Sequence, residues 1–226
     1  MTAVSWEQYL GIPGSLHTTF AYQNISESRK KRQFGDALRE IQEEFVDVIS
    51  LSSVWVSSPF RGDGWKFEAG VDGQWNDVTS TVRAEDPSGM TVADSGFGGE
   101  LLTRYPNAGS NMLSWASFAS AKRNSGENIY HFGVRYSHSA INAFYIPTSA
   151  LELPFDEMHS SHGALTGSIA AEIPLSLNTK TTTSLSSGFR HPNIDDAAKI
   201  REKGGYVIIP NDSLKAEYIY SFDESI

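Results

Sequence analysis

The sequence predicts an all-β protein: an antiparallel β-sandwich or jelly roll of eight or nine strands, with an N-terminal arm and one or two short helices. Apolar residues recur at every second position through most of the chain beyond residue 49, which is the period of a strand with one face turned to a core. Ser, Thr, Gly and Pro crowd the stretches between those runs, where turns need them. No catalytic motif breaks the alternation.

Residues 1–28 carry Gly11, Pro13 and Gly14 among scattered aromatics without a sustained period, and read as an extended arm. Arg29, Lys30, Lys31 and Arg32 form the one dense cationic run and close an arm region of residues 1–33. From Phe34 to Ile49, the apolar residues Phe34, Leu38, Ile41, Phe45, Val48 and Ile49 fall at helical spacing, opposite Asp36, Glu40, Glu43, Glu44 and Asp47. The spacing predicts a helix near 34–49, starting by Gly35 and Asp36, where a carboxylate suits the positive helix end.

The sandwich domain is assigned to residues 34–226, this helix included. Its clearest strands are Trp65–Val71, Val78–Val82, Tyr130–Tyr136, Ile169–Leu177 and Leu214–Phe222. Val54–Val56, Ile141–Ile146, Thr181–Leu185 and Tyr206–Ile209 bring the total to eight or nine, the count of a sandwich or jelly roll. Met112–Ala119 reads as a short helix. Pro174 has no backbone donor and belongs at an edge or bulge. The charged stretches 153–163 and 191–205 are long loops of the size that forms functional surfaces.

The chain has 226 residues, 39% of them hydrophobic and 20% charged, which is enough for one large domain. Without cysteine there is neither disulfide stapling nor a thiolate metal site. A net charge of −9 disfavours a surface that binds polyanions all over. Met1–Trp6 has neither a basic nor an apolar leader region, and no apolar run is long enough for a membrane helix, so nothing addresses the chain to a membrane.

Asp156, Glu157, His159 and His162 include a His-x-x-His spacing that binds a divalent ion when a helix or tight loop aligns it; a coil does not, so a polar surface loop is the simpler reading. His131 and His138 flank Arg135 without a nucleophile turn. Gly96–Gly99 lacks the lysine and flanking elements of a phosphate loop. Arg61-Gly62-Asp63 matches a tripeptide that integrins recognise, inside a glycine-rich turn. Trp55, Trp65, Trp75 and Trp115 sit in or beside strand patterns and read as core rather than as a sugar-binding surface.

Met112–Ala119 followed by Ile129–Tyr136 resembles the short helix and following strand of picorna-like virus capsid proteins. Ala171-Glu172-Ile173-Pro174 resembles a late-strand element of that family, and Gly205–Ile209 and Lys215–Asp223 resemble its closing strands. The resemblance covers roughly residues 110–225. It implies an eight-stranded antiparallel β-sandwich (jelly roll), a non-enzymatic subunit without cofactor or metal that assembles with sister chains and copies of itself into an icosahedral virion enclosing RNA. The virion and the host cytoplasm during assembly are then its locations, and a host receptor is a further partner. In that setting Arg29, Lys30, Lys31 and Arg32 face the RNA, where a few cations per copy add up through counterion release. The alternative is a carbohydrate-binding or adhesive β-sandwich, and an enzyme with His159 and His162 as metal ligands is third. A membrane barrel ranks last, because the chain opens with an arm and a helix and ends in Ile226 rather than an aromatic residue.

Overall fold

The computed structural model describes residues 1–9, 13–58, 64–86, 88, 91–94, 101–148 and 151–226. Nine strands follow one another in a single antiparallel sheet: β1 (Thr2–Tyr9), β2 (Gly14–Lys31), β3 (Arg39–Ser57), β4 (Trp65–Glu85), β6 (Ser110–Ser125), β7 (Asn128–Phe144), β8 (Glu157–Ser176), β9 (Thr179–Arg190) and β12 (Glu217–Ser225). The short β5 (Thr91–Asp94) pairs with the end of β4. The connection after β9 carries α1 (Ile194–Ala197) and a two-stranded ribbon of β10 (Arg201–Lys203) and β11 (Tyr206–Ile208). The all-β, antiparallel expectation holds. The jelly roll does not: the nine strands are bonded in chain order as an up-and-down meander, and the second sheet among the described residues is only the β10–β11 ribbon.

The N-terminal arm is also corrected, since residues 1–33 supply β1 and all of β2. The helix expected near 34–49 is the start of β3. Ile41, Phe45 and Ile49 are spaced by four, an interval that falls on one face of a helix and equally on one face of a strand. Val46, Val48 and Ile49 then favour the strand, and β3 is hydrogen-bonded on both sides, to β2 and β4. Met112–Ala119 lies within β6 for the same reason. Pro174 falls where the β8–β9 register shifts, between Pro174 and Ser176, as its missing donor requires.

Directly opposed residues share a face, so the register traces both surfaces of the sheet. One row runs Phe67, Ala121, Phe132, Ile169, Leu185, Phe222 across six strands. Another row on the same face runs Trp6, Thr18, Ser53, Val71, Ser117, Tyr136, Leu165. All five tryptophans, at 6, 55, 65, 75 and 115, stand on this face. The other face is polar, as in the row Ser50, Gln74, Ser114, Ser139, His162.

The apolar face is the uncovered one. Val134 is 50% exposed and Leu165 66%, and Trp75 and Trp115 are exposed as well. The tryptophans expected in a core are therefore on a surface. The compact core lies on the polar face at one end, where Val78, Ile141, Ala143 and Met158 are covered by Tyr145, Ile194, Ala197, Ala198 and Ile200.

The two ends of the sheet differ. Connections at one end are residues 10–13, 58–64, 126–127 and 177–178. Gly126, with φ 60°, allows the two-residue turn between β6 and β7. At the other end they are 32–38, 86–109, 145–156 and 191–216. The apolar belt hugs the short-turn end. Towards the long-connection end the same face turns polar in the row Asn24, Asp47, Asp77, Asn111, Asn142, His159.

Candidate functional site

At the long-connection end, two segments are laid over the polar face of the sheet: residues 101–106 and the stretch through α1 to β10. Asn193 caps α1 by accepting from the Asp196 backbone at 2.9 Å, while the Asp196 side chain accepts from the Asn193 backbone at 3.2 Å. Ile194 and Ala197 then turn inward onto the core. Ile200 N–H donates to Arg104 C=O at 3.0 Å, tying the segments together. Gln42 of β3 donates from Nε2 to Leu102 C=O at 3.1 Å, tying one of them to the sheet.

Between these segments and the strand ends lies a cavity of about 760 Å³. Arg29 and Lys31 of β2 line it together with Arg104, Lys199 and Arg201, and Glu40 is the only carboxylate in its lining among the described residues. Asp195 sits beside it as the hub of a network. It accepts from Tyr105 Oη at 2.7 Å, from Arg104 Nη2 at 3.0 Å and from Lys199 Nζ at 2.9 Å. Burial alone raises the Asp195 carboxyl, but the Lys199 and Tyr105 hydrogen bonds and the Lys199 charge outweigh it and hold it below the usual carboxylate range. Burial, and then the bond to Asp195, pushes the Tyr105 phenol up, so it stays a donor.

Arg29 is bonded to Glu27, Nε to Oε1 at 2.6 Å. One row further from the loops, Glu44 is 3% exposed, and neither of its carboxylate oxygens has a partner among the described residues. That burial raises its pKa, with the Arg29 charge opposing.

The cationic run flagged in the sequence is divided by the strand. Arg29 and Lys31 share the polar face with Gln42 and Glu40, while Lys30 lies opposite Ile41 on the apolar side. Arg32 follows the end of β2. Sequence reasoning missed Arg104, Tyr105 and Asp195. It flagged the 191–205 stretch that supplies Lys199 and Arg201, but only for its charge and length. The Asn193-x-x-Asp196 cap was the readable signal that part of this stretch is ordered.

The histidines do not converge on a metal. His159 and His162 lie three apart on β8 and so point to opposite faces. His159 Nδ1 is 2.8 Å from Asn142 Oδ1, and His162 packs edge-on against His191 at 5.0 Å. No group of three or more His, Cys, Asp or Glu is placed to hold a metal among the described residues. His131 and His138 likewise stand on opposite faces of β7. Arg61-Gly62-Asp63 and Gly96–Gly99 lie outside the described residues.

No family model and no curated protein matches the chain. Among solved structures it is similar to the copper transporter OprC, with a TM-score of 0.63 and 12% identity over 87% of this chain. The match covers 30% of the transporter chain, so this chain spans under a third of that protein's length. The likeness is one of fold. It overturns the capsid-subunit reading, because the chain shares its fold with that protein and its strands run as a meander rather than a jelly roll. The elements that carried the resemblance are short alternating segments that any long antiparallel strand supplies.

Proposed function

We propose that this chain is a section of the wall of a transmembrane β-barrel of the outer-membrane kind, belonging to a transporter. The observation that carries the reading is the uncovered belt, where every tryptophan and the apolar rows of nine strands stand on one face while the other face is rich in hydroxyls and charges. An apolar face this extensive costs too much in water and belongs in hydrocarbon. Along β4 the belt runs from Trp65 to Trp75. At about 3.3 Å per residue and a tilt of roughly 40°, that stretch stands about 25 Å tall, the height of a barrel's apolar band. Trp65 and Tyr130 at one margin and Tyr22 and Trp75 at the other have the placing of interfacial aromatic girdles.

The short turns at one end and long connections at the other repeat the asymmetry of such barrels. This reading replaces the expectation that the chain meets no membrane. No helix among the described residues is long and apolar enough to cross one, which leaves the strands as the spanning elements. Among the described residues β1 and β12 have unpaired edges in the sheet, and in hydrocarbon such edges are satisfied by further strands. Likeness to a transporter supports a solute path along the polar face. The copper in that protein's name is not extended to this chain, whose described residues gather no His, Cys and carboxylate set for it.

Tryptophan emission tests the proposal directly. The chain is diluted from urea into vesicles of phosphatidylcholine with brominated acyl chains. With all five indoles turned to lipid, the expected result is strong quenching relative to unbrominated vesicles. Emission unchanged by bromine would sink the reading.

A further inference from the structure

Five cations around one cavity call for an explanation in a chain whose net charge is −9. Their neutralisation is incomplete. Glu27 answers Arg29, and Glu40 is in the lining. Asp195 is shared by Arg104, Lys199 and Tyr105, so one carboxylate serves two cations and a phenol. Arg104 Nε and Nη1 are buried and have no partner among the described residues. Lys31 and Arg201 form no ion pair among those residues, and they come from different elements, β2 and β10. Like charges lining one cavity repel one another, and their fields add on any anion that enters.

We infer that this cavity, lined by Arg29, Lys31, Arg104, Lys199 and Arg201 on the polar face, binds a small molecule bearing two or more carboxylate or phosphate groups. Its volume is within the range of about 300–1,000 Å³ of small-molecule sites. Cations drawn from three separate parts of the chain surround a ligand rather than track a backbone. That geometry suits a compact polyanion and not a nucleic-acid strand. The ligand's charge completes the neutralisation that Asp195, Glu27 and Glu40 begin, with arginine offering the planar fork that oxyanions accept from. The inference goes beyond the membrane reading, because the cavity is on the face turned away from the belt.

Calorimetric titration of the whole chain in detergent micelles tests it, with citrate as the carboxylate probe, inorganic pyrophosphate as the phosphate probe and sucrose as an uncharged control. At least one anion is expected to bind, more weakly as salt is added. The paired substitutions Lys31→Gln and Arg201→Gln, chosen because neither residue holds an internal ion pair, should weaken binding tenfold or more. Lys180→Gln, which breaks the pair with Glu172 at the short-turn end, should leave it unchanged. Binding of citrate alone assigns carboxylates, of pyrophosphate alone phosphates, and of both a site that reads charge. No heat from either anion beyond that of sucrose overturns the inference, as does a double variant that binds like the parent. Bromolipid quenching of the same preparation separates either failure from failure of the membrane reading.

Discussion

Arg135 of β7 and Asp72 of β4 form a two-pronged ion pair across the intervening strand β6, with Nη1 and Nη2 each 2.9 Å from a carboxylate oxygen. Ala116, buried on β6, stands directly opposite Asp72 and is small enough to let the side chains meet above it. Phe118 supports the guanidinium from below, its ring centroid 5.6 Å from Arg135 Cζ. The pair ties three strands together on the polar face.

Because both side chains keep about two-fifths of their surface in water, the attraction is screened. Asp72→Asn is expected to cost about 0.2–1 kcal/mol in urea unfolding, and less at high salt. A loss above about 2 kcal/mol that salt does not change would mean that the polar face excludes water.

Much of this fold was legible, for a physical reason. Trp65–Val71, Tyr130–Tyr136 and Ile169–Leu177 announce strands because side chains alternate across a sheet whatever lies on either side. That indifference is also why the surroundings were misread. A protein core and a hydrocarbon layer select the same residues, so Val71 and Val134 say only that their face is apolar. The cavity was less legible still. Arg29 and Lys31 were flagged with Lys30 and Arg32 as one patch, but strand periodicity separates them, and Arg104 and Arg201 join them only through contacts distant in sequence.

Glycines on the two faces differ in tolerance. A Cβ on Gly70 would sit 2.7 Å from the backbone oxygen of Ser53 and 2.7 Å from the Phe118 ring. Backbone cannot step aside, so Gly70→Ala should cost about 1–3 kcal/mol. At Gly163 the Cβ would meet the Tyr136 hydroxyl at 2.6 Å, the far end of a side chain that can swing away. Gly163→Ala should cost less than about 1 kcal/mol. Urea midpoints of the two variants, measured side by side, check the order, and a reversed order would show that Tyr136 is held in place over Gly163.

Glu44 makes stability depend on pH in a direction opposite to most carboxylates. Burial without a partner raises its pKa, so the folded chain holds this proton more tightly than the unfolded chain does. Its contribution is complete below the unfolded value, near 4.5, and is lost as pH rises through the higher folded value. Glu44→Gln keeps the shape and removes the charge. The variant should exceed the parent in stability at about pH 7, and its advantage should vanish near about pH 4. Unfolding curves across that range check it, and a variant weaker than the parent at neutral pH would mean that the ionised carboxylate is paired.

The sharpest test of the membrane reading compares two neighbours at the same depth. Val134 stands on the belt opposite Ala119 and Gly167, half exposed, near the middle of the apolar stretch. Ser120, one residue from Ala119, faces the other way, opposite Glu68 and Gly133. In water, an arginine at a half-exposed position on either face changes stability little. In a bilayer the two sites part company, because a guanidinium at the hydrocarbon midplane costs about 2–4 kcal/mol whereas one beside Glu68 on a wet face is solvated and paired. Urea titrations of folding into vesicles should therefore show Val134→Arg losing about 2–4 kcal/mol and Ser120→Arg changing by no more than about 0.5 kcal/mol. Equal, small effects would place both faces in water and leave the belt without its solvent.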